Sequence, residues 1–279
     1  MKNVLTRLIL AFVLICTFAL SRTITYAEQD NTSEDQINSH SETVINTSKN
    51  ETFDQGIKAF NENSYDEAID SFQSFLEENP ENIEAIIYLG MAYRSAGEYD
   101  QAIEKYKRAL ELDPDRKSVF QLLGVAFLLN KNIEEGKVYL EKYREQEPDD
   151  PDAYFNLGAL YSMIKQYQLA AEYFDQAIKK YPRSKKTSLA DAWLNKGLNS
   201  FKEGSYSESI EHIEKALKYD NQNGLASYYM GLNYIYNKPQ NLEKAKSYID
   251  KSKALGYQVP DYIDKYLEIK EQSKKPSFW

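Results

Sequence analysis

Large apolar side chains recur three, four and seven residues apart over most of the chain. Ile86, Leu89 and Tyr93 are one example, and Leu157 and Tyr161 are another. Such spacings place side chains on one face of an α-helix, and the strict alternation typical of strands is nowhere sustained. The pattern therefore predicts an all-α chain built from amphipathic helices.

The predicted helices are punctuated at a constant interval. Prolines at 80, 114, 148 and 182, and glycines at 56, 90, 124 and 158, are each 34 residues apart. Proline cannot continue a helix and disfavours α geometry in the residue before it, so the prolines mark helix ends. A fixed period of this length is typical of a repeat solenoid, in which stacked neighbours bury each other's apolar faces.

The residues at these positions resemble the tetratricopeptide repeat (TPR) family. Its first-helix signature is matched by Ile86, Leu89, Gly90, Tyr93 and by Tyr154, Leu157, Gly158, Tyr161. Its second-helix signature is matched by Ala102, Tyr106, Ala109, Pro114 and by Ala170, Phe174, Ala177, Pro182. The resemblance implies an all-α TPR superhelix, a right-handed solenoid of about six helix-turn-helix repeats plus a C-terminal capping helix.

The register divides most of the chain into repeats. We predict six repeats, TPR 1 to TPR 6, over 49–82, 83–116, 117–150, 151–184, 190–223 and 224–259. A capping helix over 260–271 and a tail over 272–279 follow them. Five residues, 185–189, do not fit the period. They indicate either a longer first helix or loop, or a local change of curvature that acts as a hinge.

The N-terminus has the features of a secretory signal peptide over 1–27. Lys2 and Arg7 precede an apolar run over 8–20, and Thr25-Tyr26-Ala27 offers a cleavage site. The run is shorter than the roughly 20 residues that span a bilayer. We therefore expect an exported protein, periplasmic or secreted; the alternative is a membrane anchor through 8–20. Residues 28–48 are polar and are predicted to be a disordered tether.

Charge and cysteine content narrow the possible partners. The sequence has 43 acidic and 34 basic residues, and removal of 1–27 would leave a formal charge of about −12. This charge opposes nucleic-acid binding, which needs a basic footprint. The single cysteine, Cys16, lies within the predicted signal peptide.

Motifs for catalysis are lacking in the sequence. The two histidines, His40 and His212, do not belong to a metal-binding pattern, and there is no nucleophile elbow or phosphate-binding glycine loop. We therefore predict no enzymatic activity, metal, cofactor or small-molecule substrate.

The resemblance also identifies candidate binding residues. In TPR proteins the fifth and ninth repeat positions face the concave groove, and an asparagine at the sixth position can bind a peptide backbone. Carried over by register, these positions form what we call the inner-face set: Phe53, Ile57, Ile87, Met91, Gln121, Val125, Phe155, Asn156, Ala159, Leu194, Asn195, Leu198, Tyr228 and Leu232.

Most members of the inner-face set are apolar, which predicts a groove for a peptide or helix of a protein partner. The expected function is a non-enzymatic protein–protein interaction adaptor in envelope assembly or secretion. If tight packing fills the groove, the alternative is a structural or oligomerisation scaffold that uses its outer faces and ends.

Overall fold

The computed structural model of the protein describes residues 47–273, which form thirteen α-helices and no strand. The prediction of an all-α fold is confirmed in this range. In chain order, α1 to α13 span Thr47–Asn61, Tyr65–Glu78, Ile83–Ser95, Tyr99–Leu112, Lys117–Leu129, Ile133–Gln146, Pro151–Met163, Tyr167–Lys180, Lys186–Glu203, Tyr206–Tyr219, Gly224–Tyr236, Leu242–Ala254 and Asp261–Ser273.

Several predicted segments lie partly or wholly outside the described residues. The signal peptide over 1–27 and most of the tether over 28–48 fall there, as does most of the tail over 272–279. At the margins, α1 begins at Thr47, within the range given to the tether. The last helix covers Asp261–Ser273, where a capping helix over 260–271 was expected.

In the first five repeats, the turn between the two helices is built around one left-handed residue. Gly97 has φ +85° and Gly204 has φ +82°, and Lys131 takes the same conformation at +63°. At Gly97, the next amide, Glu98 N–H, donates to the carbonyl of Tyr93 at 2.8 Å. This bond satisfies a terminal helical carbonyl while the chain reverses, which ends the first helix of the pair.

Paired helices cross closely at the periodic glycines. A Cβ at Gly90 would lie 2.6 Å from the ring of Tyr106, and one at Gly231 would lie 2.7 Å from the side chain of Ile249. Gly56 faces Phe72 in the same way. Only hydrogen fits at these positions, so the large buried side chain of the second helix occupies the space beside the glycine.

The five residues that break the period extend a helix. First helices such as α5 and α11 contain 13 residues, whereas α9 contains 18. Lys185 is the N-cap of α9 and residues 186–189 form its first turn. The connection between α11 and α12, residues 237–241, is two residues longer than the three-residue turn at 62–64.

The chain forms two compact units, which divide between Leu160 and Tyr161 inside α7. In unit 1, residues up to 160, a continuous core runs from Ala59 to Phe127 and involves helices α1 to α5. In unit 2, from residue 161, α9 packs on α8 and α10, and α11 packs on α10 and α12. Within each unit, consecutive helices are therefore the packing neighbours.

Candidate functional site

The inner-face set divides sharply by burial. Eleven of its fourteen residues are buried, and the three that stay half-exposed, Phe53, Ile57 and Met91, all belong to the first two repeats. A buried side chain cannot contact a partner without rearrangement. The accessible part of the set is therefore confined to α1 and α3.

The accessible residues of α1 and α3 form an aromatic surface that we call the repeat 1–2 patch: Phe53, Ile57, Phe60, Tyr88 and Met91. All five are partly buried and pack against the core of unit 1. The ring of Tyr88 lies 5.7 Å from that of Phe53 and 6.5 Å from that of Phe60, edge-on in both cases. Beneath them, Phe72 lies 5.6 Å from both Phe53 and Tyr88. The fully buried Phe72 supports the patch from below.

Tyr88 provides the polar group of this patch. Burial, followed by the nearby Glu84 carboxylate, raises the pKa of its phenol above the ordinary value of 10. The hydroxyl therefore stays protonated at neutral pH and can donate one hydrogen bond and accept others. An apolar surface with a single phenol suits a partner helix or strand that presents apolar side chains and an accessible polar group.

From the third repeat onwards, the members of the inner-face set in unit 1 are buried. Gln121 and Val125 are buried, as are all residues of α5 from Val119 to Leu128. In α7, Phe155 and Ala159 are also buried. The Asn156 side chain is buried too, and its Oδ1 atom has no hydrogen-bond partner. These members of the inner-face set are core residues in the folded chain.

In unit 2 the polar members of α9 bond within the protein. Asn195 Nδ2 donates to the carbonyl oxygen of Asp191 in its own helix at 2.9 Å. Leu194 and Leu198 are buried. Ser162 Oγ donates to Asn199 Oδ1 at 2.6 Å, and the Lys202 ammonium donates to the same Ser162 at 3.2 Å. The sequence register did not single out this buried polar cluster.

A second buried polar contact explains a departure from the repeat pattern. Ser209 stands where the family usually has alanine. Its Oγ donates to the carbonyl of Gly197 at 2.8 Å and accepts from Asn233 Nδ2 at 2.8 Å. The hydroxyl thus links three helices of unit 2, α9, α10 and α11, through hydrogen bonds rather than apolar contact.

The last members of the set, Tyr228 and Leu232, are buried in α11. The C-terminal part of the chain covers Tyr228. Its ring lies 5.1 Å from that of Tyr257, and its hydroxyl shares a hydrogen bond with Tyr262 of α13. Burial, and then these two phenols, raise the pKa of Tyr228.

His212 is a structural residue of the α9–α10 crossing. Its Nδ1 lies 3.2 Å from Ser200 Oγ, and its ring lies 5.7 Å from that of Trp193. Burial, and then the nearby Lys196 and Lys215 ammonium groups, lower its pKa below 6.5. Within residues 47–273 no three His, Cys, Asp or Glu side chains are placed to hold a metal ion.

This environment predicts a pH dependence of stability. The unfolded imidazole, with a pKa near 6.5, takes up a proton before the folded one does. The contribution of neutral His212 to the stability of the fold is therefore complete above about pH 6.5. It is lost as the pH falls from there through the lower pKa of the folded protein. Urea unfolding at pH 7.5 and at pH 5.5 should show that the free energy of unfolding falls more between these two pH values for the wild type than for His212→Gln. Equal losses in both proteins would contradict the assignment.

None of the helices within 47–273 has the length and apolar character needed to cross a bilayer.

Family models match three stretches of the chain. A TPR repeat model matches residues 90–131, and tetratricopeptide repeat models match 151–184 and 190–223. The last two ranges coincide with the fourth and fifth predicted repeats. No curated protein sequence matches the chain.

Solved structures share the fold. The APC/C hetero-tetramer Cut9–Hcn1 matches 79% of this chain at 21% identity with a TM-score of 0.68, and this chain spans 42% of that one. PilW, a widely conserved type IV pilus biogenesis factor, matches 76% of this chain and 91% of its own at 16% identity, TM-score 0.59. Pseudomonas aeruginosa PilF matches 63% of this chain and 78% of its own at 22% identity, with a TM-score of 0.57.

These likenesses confirm the predicted fold class, an all-α TPR solenoid of stacked helix pairs. The 34-residue period, the glycine crossings and the matches over 151–184 and 190–223 agree on the same repeat. The protein therefore contains tetratricopeptide repeats, which the family models match over 90–131, 151–184 and 190–223.

Proposed function

We propose that this TPR protein is a non-enzymatic adaptor that binds a peptide or helix of a protein partner on the repeat 1–2 patch. The family's repeats support protein or peptide partners in general. The observation that carries the specific site is the burial pattern: Phe53, Ile57 and Met91 remain accessible while the rest of the inner-face set is core.

The patch has the chemistry of an apolar docking surface. Its accessible groups are two phenylalanine rings, one phenol and two aliphatic or thioether side chains. Aromatic residues and methionine are enriched where proteins contact one another, and aromatic rings bury a large area with few rotatable bonds. Affinity that comes from apolar burial depends only weakly on salt.

The proposed site predicts how the shortening of single side chains affects partner binding. Met91→Ala and Ile57→Ala should each weaken partner binding about two- to fivefold, because full burial of such a side chain is worth roughly 1.5–3 kcal/mol and these two are already partly buried. The partner is first identified by crosslinking pulldown from the host. Its affinity for the purified variants is then measured by calorimetry at low and high salt.

The matched control for this experiment is Glu104→Ala, a change at an exposed residue of α4. It should leave affinity unchanged, and circular dichroism should show the same helicity in all variants. If both patch variants bind normally and charge reversal on α4 abolishes binding, the partner binds the outer surface and not the repeat 1–2 patch.

A second function is favoured by a specific observation. With eleven inner-face residues buried, the later repeats present their outer surfaces and ends rather than a groove. A structural or oligomerisation scaffold fits that arrangement. A self-association constant in the micromolar range or tighter, measured by sedimentation without any partner, would favour the scaffold over the adaptor.

We further propose export, with a role in envelope assembly or secretion. This proposal is based on the features of residues 1–27, because the resemblance to PilW and PilF, at 16% and 22% identity, establishes only the fold. Fractionation of the host, together with N-terminal sequencing of the mature chain, tests both export and cleavage after Ala27.

A further inference from the structure

The C-terminal segment of the chain occupies part of the inner face of repeat 6. Tyr257 and Tyr262 both meet Tyr228, a member of the inner-face set. Burial raises the pKa of Tyr236 to about 12, with smaller contributions from the phenol of Tyr206 and, in the C-terminal segment, from those of Tyr262 and Tyr266. The surface that these residues cover would otherwise be a tyrosine-rich part of unit 2.

Tyr228 and Tyr236 belong to a larger aromatic cluster in this unit. The Phe201 ring lies 5.2 Å from that of Tyr229 and 5.9 Å from that of Tyr236, edge-on to both. Such edge-on contacts between rings are stabilising, and a buried phenol hydroxyl usually finds a hydrogen-bond partner. A helix that brings its own phenols can therefore seat on this cluster.

The last helix, α13, is attached differently from the helices before it. It contains neither glycine nor alanine, whereas α1, α3, α5, α9 and α11 each have a glycine at a close crossing. It packs beside α12, and its Tyr262 hydroxyl shares a hydrogen bond with Tyr228 of α11. Its ion pairs, Lys253–Asp264 at 2.6 Å and Lys246–Glu271 at 3.4 Å, are exposed.

Exposed ion pairs contribute little stability, and terminal elements with few buried contacts open more readily than the core. Two aliphatic side chains of α13, Ile263 and Leu267, are buried at 3% and 4% exposure. On the other side of the helix, Ile269 is 64% exposed. The helix is thus held by a narrow stripe.

We propose that α13 is a resting occupant of a second helix-binding surface, and that an amphipathic partner helix of the same chemistry replaces it. The partner is defined by the stripe it must reproduce: aromatic residues one turn apart, as Tyr262 and Tyr266 are, each followed by an aliphatic residue, as Ile263 and Leu267 are. These four positions lie on one face of a helix. The inference extends the proposed adaptor function to a regulated site in unit 2.

The probe for this surface is a fluorescein-labelled peptide with the sequence of residues 257–273. Its binding to the full-length chain is followed by fluorescence anisotropy. In the wild type α13 competes with the probe, and the apparent affinity is reduced by the small fraction of molecules in which the surface is open. Ile263→Asp puts a carboxylate on the buried stripe and should raise the apparent affinity at least about tenfold.

Ile269→Asp is the matched control, since it makes the same chemical change on the exposed side of the same helix. It should bind the peptide as the wild type does. An Ile263→Asp protein that binds no more tightly than the wild type overturns the proposal, and so does equal enhancement by both variants.

Hydrogen exchange of the unmodified full-length chain gives a test that does not depend on a variant folding. The amides of α13 should exchange at least about tenfold faster than those of α11 and α12, because α13 opens alone. Exchange of all three helices at one common rate overturns the proposal. If either test fails while partner binding still depends on Met91, the inference about α13 is wrong and the adaptor function stands.

Discussion

Gly90→Leu should lower the free energy of unfolding of unit 1 by about 3 kcal/mol, at the upper end of the usual cost of overpacking. A Cβ at Gly90 would lie 2.6 Å from Cε1 and 2.9 Å from Cδ1 of Tyr106. The Tyr106 side chain is fully buried, and its burial raises the pKa of its phenol to about 12. The ring has no solvent-filled space to move into, so α3 and α4 must separate to admit a side chain.

The comparison for this prediction is Glu104→Ala in the same helix pair. Glu104 is exposed and pairs with its neighbour Lys105 at 2.9 Å. Its replacement should change stability by less than about 0.5 kcal/mol. Urea unfolding followed by circular dichroism measures both variants, and equal midpoints would show that the crossing does not lie at Gly90.

The fold could be predicted from the sequence because the repeat makes local and tertiary signals agree. A glycine and a bulky residue recur at the same separation, as Gly56 does with Phe72 and Gly90 does with Tyr106, and each pair meets in the structure. The periodic prolines mark the helix ends in the same register. A period break such as 185–189 is equally visible, although its placement within α9 follows from the structure.

The candidate site was less predictable, because helical register assigns a face but does not fix its exposure. Val125 and Met91 occupy equivalent positions in neighbouring repeats, yet Val125 is buried and Met91 is half-exposed. The difference depends on how closely the following helices pack, which no spacing within one helix records. The closure of Tyr228 by Tyr262 likewise depends on residues more than thirty positions apart.

Two departures from the family pattern coincide with polar contacts in unit 2. Lys196, where leucine is usual, pairs with Asp175 at 2.6 Å and lies 5.6 Å from the ring centroid of Trp193. Ser209, where alanine is usual, hydrogen-bonds to Gly197 of α9 and to Asn233 of α11. Both substitutions replace apolar contact by polar contact in unit 2. Unexpected polar residues at signature positions are therefore the best sequence evidence for these polar contacts.

Phe72→Ala should cost about 3–5 kcal/mol, the usual penalty for removing a buried phenylalanine and leaving a cavity. Phe72 is fully buried, fills the space beside Gly56 and lies 5.6 Å from both Phe53 and Tyr88. The cavity would therefore open beneath the repeat 1–2 patch. The proposed partner should bind this variant more weakly than it binds Met91→Ala, since the whole patch loses its support.

The loss should also remain local, because in a repeat protein each repeat is stabilised mainly by its neighbours. Hydrogen exchange of Phe72→Ala should show faster exchange in α1 and α2, while α11 and α12 in unit 2 keep their wild-type rates. Ser74→Ala, a change at an exposed residue of the same helix α2, is the control and should leave every rate unchanged. If α11 and α12 lose protection as much as α1 does, the two units unfold as one cooperative body and the nearest-neighbour description of this chain is wrong.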